Sequence, residues 1–280
     1  MRPLRLLDLK RDFALVVRLA LADFRHEGRL SLCAIIGMAA VLAPLLVLYG
    51  LKFGIVSGMT AQLADDPHAR ELRPLGQGSF DEPWLAQLAT HPETGWLEPA
   101  TRFLAAGISL RNPARSEGEP VNAELWPTHP GDPLAPGLIA APLPLDRIVL
   151  SQSAADRLKA TPGTTLTGRI GRHSRDGEAQ AATVALTVAA VVPAALIDRD
   201  AALVAPALVL AAEDYREGLA VPALGWPGEV RPEQPRRYAS FRLFARDIHG
   251  VAALRDHLAG LGVQVGTRLA EIEMIERIDR

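Results

Sequence analysis

The sequence lacks the features that mark several protein classes. Its only cysteine is Cys33, so no disulfide can form within the chain and a disulfide-stapled scaffold is excluded. The 30 Lys and Arg nearly balance the 32 Asp and Glu, so the global charge gives no reason to expect nucleic acid as a partner. With 49% hydrophobic and 22% charged residues, the chain is neither largely disordered nor collagen-like.

Common catalytic and nucleotide-binding motifs are also missing from the sequence. G-x-x-x-x-G-K-[ST] does not occur, which predicts no ATP site of the P-loop type. H-E-x-x-H does not occur either, and the seven histidines are scattered. His249 and His257 can share one side of a helix but lack a third ligand. We therefore predict no catalytic residue, no metal site and no cofactor, and expect that the chain is not itself an enzyme.

Some polar and aromatic residues admit both a functional and a structural interpretation. Ser151 and Ser153 follow a strand and open a helix, as a nucleophile does. Without the glycines of G-x-S-x-G, helix capping is the favoured role. The tryptophans either line a ligand site or pack in the core, and packing is favoured. They are Trp84, Trp96, Trp126 and Trp226.

One run without charge, residues 30–51, predicts a membrane-spanning helix. Its 22 residues match the roughly 20 that a bilayer core requires, and no second run of this kind exists here. Residues 1–29 hold seven Arg and Lys against four Asp and Glu, whereas residues 52–280 hold 23 against 28. Positive flanks stay in the cytoplasm, so we expect the N-terminus inside and the large C-terminal part outside. A cleaved signal peptide is the alternative, but its charged and apolar regions are shorter.

Residues 1–29 are predicted to be a cytoplasmic segment whose amphipathic helix covers about residues 10–29. Arg11, Arg18, Arg25 and Arg29 recur at helical spacing and share one face. We expect that face at the membrane surface, toward anionic lipid. An ordinary positive flank of a membrane span explains the same residues equally well.

The two ends of residues 52–267 show the same order of elements. A strand at 71–75, a helix with a capping box from Ser79 to Glu82, and extended segments to 111 form the first. A strand at 239–245, a helix ended by Gly262 and a strand at 263–267 form the second. Phe241, Leu243 and Ala245 are expected on one face of their strand, opposite Ser240 and Arg242. This pattern predicts a split α+β lobe over about 69–111 and 238–267.

A second lobe, about 112–237, is predicted to be mainly β. Its first part, 113–144, holds eight prolines and excludes long helices. A strand at 148–150 precedes the helix capped by Ser151 or Ser153, and strands at 164–172 and 183–192 flank a hairpin loop. Residues 268–280 carry isoleucines and a leucine every three residues, which predicts a stalk helix with one apolar edge. That helix has no stop signal, so we expect the natural chain to continue into a second span.

The order of these features resembles the first part of the ABC transporter permeases of the FtsX/MacB/LolCE group. The best match is D-R-I-V-L-S-Q-S-A-A-D-R-L-K-A-T-P-G-T-T-L-T-G-R-I, followed by V-A-L-T-V-A-A-V-V-P. Ala189 and Ala190 stand where the family often has glycine. R-H-E-G-R-L-S-L at residues 25–32 is similar to the family's entry into its first span. The resemblance covers essentially the whole chain, with motifs of moderate specificity.

This resemblance implies an α+β chain in the bacterial inner (cytoplasmic) membrane. Its 280 residues would comprise one N-terminal transmembrane helix followed by a two-lobed MacB-like periplasmic domain. Family permeases have four spans, act as homodimers or heterodimers, and depend on a separate or fused ATP-binding cassette ATPase. The resemblance therefore implies that this ATPase lies near Arg11, Arg18, Arg25 and Arg29. They transmit ATP-driven motion to periplasmic work such as export or lipoprotein release. The sequence stops where the second span is expected, which suggests an N-terminal portion. The alternative is a stand-alone single-span protein with a periplasmic adaptor or sensor domain, and an external enzyme is the least favoured class.

Overall fold

The computed structural model describes residues 5–26, 28–102, 107–115, 118–173 and 178–268. The chain divides into two compact units, Met1–Thr60 and Ala61–Arg280. The predicted stalk helix lies outside the described residues, apart from Arg268.

The first unit contains α1 (Arg5–His26) and most of α2 (Gly28–Asp65). The stretch Gly28–Leu51 of α2 is long and apolar enough to cross a membrane, with a mean hydropathy of 2.5. Its 24 residues extend about 36 Å as an α-helix, against a bilayer core of about 30 Å. None of the described side chains in this stretch is buried by protein, so its apolar surface requires a lipid or protein environment.

The second unit contains a four-stranded sheet in the order β12-β1-β11-β3. Its strands are β1 (Glu71–Pro74), β3 (Thr94–Ala100), β11 (Ser240–Ala245) and β12 (Val265–Gly266). Every pairing in the sheet is antiparallel. The sheet therefore joins chain from both ends of the domain, as the repeated order of elements predicts.

One face of this sheet packs on α3 (Glu82–Ala89) and α6 (Gly250–Gly260). Phe241, Leu243 and Ala245 lie in that core with Leu254 and Leu258, which confirms the alternation predicted for β11. Each fully buried Leu or Phe contributes about 1.5–3 kcal/mol through removal from water. Beyond α6 the chain turns at Gly262, whose φ of +79° favours glycine.

The N-cap of α3 is Asp81 and not the predicted Ser79. Its carboxylate accepts a hydrogen bond from Trp84 N at 3.0 Å. The reason lies in β2 (Phe80–Asp81), which pairs with β10 (Arg237–Tyr238). This pairing keeps the chain extended through Asp81, so the helix begins two residues after the predicted cap.

Six strands form a closed barrel in the order β4-β5-β9-β6-β8-β7. Their bounds are β4 Gly107–Arg111, β5 Val121–Pro127, β6 Arg147–Ser151, β7 Thr165–His173, β8 Ala179–Val192 and β9 Ala201–Val204. The barrel core is apolar, and Leu110, Leu125, Leu150, Leu166 and Leu186 are fully buried in it. The Pro-rich segment thus contributes one extended strand, β5.

Three predicted boundaries differ from the structure. Gly107–Arg111 was predicted in the split lobe, but as β4 it pairs with β5 and β7 and so belongs to the barrel. β7 and β8 reach further into the predicted hairpin loop, to His173 and from Ala179, because their ladder pairs these two residues. The last strand is only Val265–Gly266 long.

Two helices pack on the barrel, α4 (Gln152–Leu158) and α5 (Pro206–Arg216). Ser151 caps α4, as one of the two predicted serines. Its Oγ accepts hydrogen bonds from Ala154 N (3.4 Å) and from Ala201 N (3.0 Å) at the start of the neighbouring strand β9. Ser153 instead donates to Asp200 Oδ1 at 2.6 Å.

Candidate functional site

The arginines predicted to face the membrane or an ATPase lie in two helices. Arg11, Arg18 and Arg25 belong to α1, whereas Arg29 lies in the first turn of α2. The side chains of Arg18, Arg25 and Arg29 are exposed. The four residues therefore do not belong to one helix as predicted, because α1 ends at His26.

The main candidate site lies at a different place, the junction between the four-stranded sheet and the barrel. The face of β11 that carries Arg242 was predicted to be the polar one, yet it packs against the barrel. Trp96 and Phe244 of the sheet share a core there with Leu134, Val149 and other residues near the barrel. The junction therefore combines an apolar core with charged side chains that must find partners inside the protein.

Arg242 is the central charged residue of this junction. Its side chain is 11% exposed and faces the fully buried carboxylate of Asp132. Nη1 donates to Asp132 Oδ2 at 2.8 Å and to the carbonyl of Pro127 at 2.9 Å, and Nη2 donates to Asp132 Oδ1 at 3.1 Å. Asp132 also accepts from Thr128 Oγ1 (2.7 Å) and Leu134 N (2.9 Å). Both oxygens of Asp132 are thus satisfied, and one bidentate ion pair fastens β11 to the chain that leaves β5.

Aromatic rings enclose the Arg242 guanidinium. Its carbon lies 4.9 Å from the ring centroid of Trp96 and 5.2 Å from that of Trp126. The Trp96 ring also stacks on His129 at 4.5 Å, and His129 Nδ1 lies 2.6 Å from Glu98 Oε2. Such cation–π contacts are worth up to about 2 kcal/mol when desolvated. Trp96 and Trp126 therefore pack around the charged guanidinium of Arg242.

A histidine adds a second polar link across the junction. His68 Nε2 lies 2.8 Å from the carbonyl of Leu196, and Nδ1 lies 3.2 Å from Glu71 Oε2. Both partners only accept hydrogen bonds, so the ring can donate to both of them only in its protonated form. The hydrogen bond to Glu71 raises the pKa of His68 above 6.5 despite partial burial. Burial opposes the ionisation of Glu71, but hydrogen bonds from His68 and Arg73 outweigh it and lower the pKa of Glu71 to about 2.

A cleft of about 400 Å³ opens beside this junction. Its apolar wall includes Leu75, Phe241 and Trp126, and its charged wall includes Arg73 and Glu124. These two charges have partners, since Arg73 pairs with Glu71 at 2.6 Å and Glu124 accepts from Trp126 Nε1 at 3.0 Å. The volume falls within the range of small-molecule sites.

Thr101 is a nearly buried polar residue in the wall of this cleft. It is 5% exposed, and its Oγ1 has no hydrogen-bond partner among the described residues. A buried hydroxyl in that state costs about 1–3 kcal/mol.

The acidic end of α5 anchors the second Pro-rich loop. Asp214 accepts from Arg231 Nη1 at 2.6 and 2.7 Å and from Arg236 Nη2 at 2.7 and 2.6 Å. Burial raises the pKa of Asp214, and the charge of Arg231 counters that effect. Glu213 beside it also has a raised pKa, mainly through burial. Arg102 pairs with Glu213 and Glu217, so this cluster links the end of β3 to α5.

The remaining predicted candidates have structural roles. Trp84 stacks on Phe80 at 4.7 Å, and Trp226 Nε1 donates to the carbonyl of Thr183 at 3.1 Å. The ring of His257 contacts His91 at 4.7 Å, and His249 lies at the N-cap of α6. Within the described ranges, no group of three or more His, Cys, Asp or Glu side chains is placed to hold a metal ion.

Sequence reasoning missed Asp132 and His68 and placed Arg242 on an ordinary polar face. The available signal for Arg242 was that it is the single charged residue of β11, since an isolated charge there needs a partner. No local pattern marks Asp132, which lies in a Pro-rich loop. Comparison with known protein families and with characterised proteins finds no match to this chain.

Proposed function

We propose that this chain is the anchor and periplasmic domain of an ABC transporter permease of the mechanotransmission type. In this proposal α2 crosses the bacterial inner membrane with α1 in the cytoplasm, and Ala61–Arg280 lies in the periplasm. A partner ATP-binding cassette ATPase hydrolyses ATP, and a second permease copy or homologue completes a dimer. The domain passes the resulting motion to export or to release of a lipoprotein or other substrate.

One observation carries this proposal: the chain enters and leaves the periplasmic domain at neighbouring positions. β1, which follows α2, pairs with β12, where Arg73 lies opposite Gly266. Asp66 and Arg268, which flank these two strands, form an ion pair at 3.2 Å. A domain inserted between two membrane helices requires this arrangement, because both helices must start from one side of the domain.

The junction supports a role in transmitting motion. Arg242, His68 and Arg102 each join the sheet side of the domain to the barrel side, through Asp132, Leu196 and Glu213 respectively. A displacement applied to β1 and β12 would therefore reach the barrel through directional hydrogen bonds and ion pairs rather than through a flexible linker.

The first test is topology combined with ATPase association. In a Cys33→Ser background, a cysteine at the exposed Glu233 is expected to react with a membrane-impermeant maleimide in intact cells. A cysteine at the exposed Arg18 is expected to react only after permeabilisation. The full chain, purified in mild detergent from its native membrane, is expected to retain an ATP-binding cassette ATPase. Recovery of the chain in the soluble fraction, or the opposite labelling pattern, contradicts the anchor and its orientation.

The arginines of α1 and α2 give a second test. Reversal of Arg11, Arg18, Arg25 and Arg29 to glutamate is expected to disturb insertion or ATPase association, because the charges face anionic lipid or the ATPase. Reversal of Arg255, an exposed arginine of the periplasmic domain, is the matched control. Normal insertion and normal ATPase recovery for the fourfold variant remove this role from the arginines.

The cleft favours a second candidate function, a stand-alone adaptor or sensor domain. Its volume and its apolar wall with Trp126 are suited to a small ligand. In that case purification recovers no ATPase, and the 280-residue chain complements a deletion by itself. Complementation that requires an ATP-binding cassette partner supports the permease instead.

A further inference from the structure

One hydrogen bond of the junction links the two sides from which the cleft is built. Glu71 of β1 lines the cleft from the sheet side, and Arg199 lines it from the barrel side. Arg199 belongs to residues 193–200 between β8 and β9, which we call the β8–β9 loop. His68, in the 3₁₀ turn directly before β1, lies 2.8 Å through Nε2 from the carbonyl of Leu196 in this loop. The contact therefore holds the loop against the sheet side of the cleft.

The ring of His68 lies between two acceptors. Nδ1 is 3.2 Å from Glu71 Oε2, and Nε2 faces the carbonyl of Leu196. A neutral imidazole has a single N–H donor, so the neutral ring can donate to only one of these oxygens. The nitrogen without a proton then directs its lone pair at an oxygen within hydrogen-bond range, which is repulsive. One of the two contacts must therefore lengthen when the ring loses its proton.

The contact with Glu71 is the one that a neutral ring keeps. Burial opposes the ionisation of Glu71, but hydrogen bonds from His68 and Arg73 lower its pKa to about 2. Glu71 is therefore a charged acceptor, and hydrogen bonds to charged acceptors are about twice as strong as those to neutral ones. The remaining proton stays on Nδ1, toward Glu71. The contact that is lost is the one from Nε2 to Leu196, which crosses the junction.

The loop does not supply the charge that holds the proton on His68. The charged groups that the surrounding elements bring to this site are Asp66, Glu71, Arg73, Arg242 and Asp198. Glu71 and Asp66 act on the ring, and both precede or belong to β1. Arg73 and Arg242 act on Glu71, whereas Asp198 of the β8–β9 loop acts on Arg73. The loop can therefore separate from His68 while both carboxylates that favour the charged ring stay in place.

We propose that His68 is a pH-sensitive switch between the sheet and the barrel, closed while its ring is protonated and open when the ring is neutral. Opening releases the β8–β9 loop from the sheet side and widens the cleft, because Arg199 in the cleft wall moves with the loop. The ion pair of Arg242 with Asp132 joins the sheet to the barrel in both states, so the domain stays folded. This switch is independent of the permease proposal, since it depends only on residues of the second unit.

The test measures a distance across the junction at two pH values. In a Cys33→Ser background, spin labels at the exposed Ala195 and Ala253 report the distance from the β8–β9 loop to α6. Labels at the exposed Ala86 of α3 and at Ala253 give a control distance within the sheet side. In the full chain in detergent, the loop-to-α6 distance is expected to lengthen by a few ångström and to broaden between about pH 6 and about pH 9. The control distance is expected to stay constant.

Two histidine variants separate His68 from other titrating groups. His68→Gln cannot change its charge, so the loop-to-α6 distance in this variant is expected to be the same at both pH values. His129→Gln is the matched control and is expected to keep the wild-type shift. His129 also lies at the junction, where its Nδ1 is 2.6 Å from Glu98 Oε2.

Nitrogen-15 labelling of histidine reads the protonation state of the ring directly. The signals of His68 are those that disappear from the spectrum of His68→Gln. As the pH rises, Nε2 of this ring is expected to lose its proton while Nδ1 keeps its own. This measurement uses the wild-type chain, so it remains decisive even where a variant fails to fold.

Four results would overturn the proposal. The first is a loop-to-α6 distance in wild type that does not change with pH, and the second is an equal change in wild type and His68→Gln. The third is a change that His129→Gln abolishes, which assigns the effect to His129 instead. The fourth is loss of the proton from Nδ1 rather than from Nε2, which breaks the contact with Glu71 and leaves the junction closed. A control distance that changes together with the loop-to-α6 distance shows general unfolding and likewise counts against the switch.

Discussion

Replacement of Arg242 with methionine is expected to destabilise the junction strongly. The variant keeps a long apolar stem between the tryptophans but leaves the fully buried carboxylate of Asp132 without its counter-charge. Only Thr128 Oγ1 and Leu134 N remain as donors to Asp132. Removing one partner of a buried ion pair costs about 3–5 kcal/mol. In a domain of this size 1 kcal/mol shifts Tm by about 2–4 °C, so a loss of about 10 °C is expected.

Thermal unfolding of the full chain in detergent, followed by tryptophan fluorescence, measures this loss. Trp96 and Trp126 flank Arg242, so the emission reports on the junction. Arg255→Met is the matched control, because Arg255 pairs only with its exposed neighbour Asp256. Exposed pairs contribute about 0–1 kcal/mol, so that variant is expected to unfold within about 3 °C of wild type.

The double variant Arg242→Met, Asp132→Leu separates a lost ion pair from general damage. Replacing both charges with apolar groups is often neutral, so the double variant is expected to regain much of the stability lost by Arg242→Met. The reasoning is refuted if Arg242→Met is as stable as Arg255→Met. It is also refuted if the double variant is less stable than each of the single variants, Arg242→Met and Asp132→Leu.

Three further predictions concern other parts of the second unit, Ala61–Arg280. The hydrogen bond to Glu71 raises the pKa of His68 above 6.5, so the protonated ring stabilises the fold fully below about pH 6.5 and this contribution is lost as the pH rises through the folded-state pKa. The fall in Tm from about pH 6 to pH 9 is therefore expected to be smaller in His68→Gln than in wild type. An equal fall in both proteins contradicts a stabilising role of the protonated His68 ring. A Cβ at Gly95 would lie 2.9 Å from backbone atoms of Ala245 in β11 and of Arg246 after it. Gly95→Ala is therefore expected to lower the free energy of unfolding in urea by about 1–3 kcal/mol. Gly260→Ala is the control and is not expected to destabilise the fold, because a Cβ at Gly260 meets nothing within 4 Å. Ser151→Ala removes a buried acceptor of two backbone N–H groups and is expected to cost about 1–3 kcal/mol, more than Ser153→Ala in the same unfolding assay; the reverse order would show that the cap is not at Ser151.

Local signals predicted the elements whose causes are local. The membrane-length run in α2, the cap at Ser151, the alternation along β11 and the turn at Gly262 each depend on a few neighbouring residues. Apolar periodicity and short polar side chains at helix starts express the same physics in the sequence and in the structure. These features were therefore predictable within a few residues.

The misses have a common cause in long-range pairing. Ser79 had the better capping-box pattern, but pairing of β2 with β10 moved the start of α3 to Asp81. Gly107–Arg111 reads as an extended segment in either lobe, and only its ladders with β5 and β7 assign it to the barrel. Arg242 became a central residue because a loop far away in sequence supplies Asp132. None of these partners can be found from a window of neighbouring residues.

The pairing of β3 with β11 also imposes an order of events on folding. Ala100 lies opposite Ser240, and all six barrel strands are synthesised between them. Closing so long a loop before the barrel exists is slow, because the entropy of that loop must be lost before its contacts form. We expect the barrel to fold first on the ribosome and to shorten the effective loop that the sheet must close. Until β11 emerges, the sheet lacks the strand that joins β1 to β3, and in that interval the nascent chain is most exposed to aggregation and to chaperones.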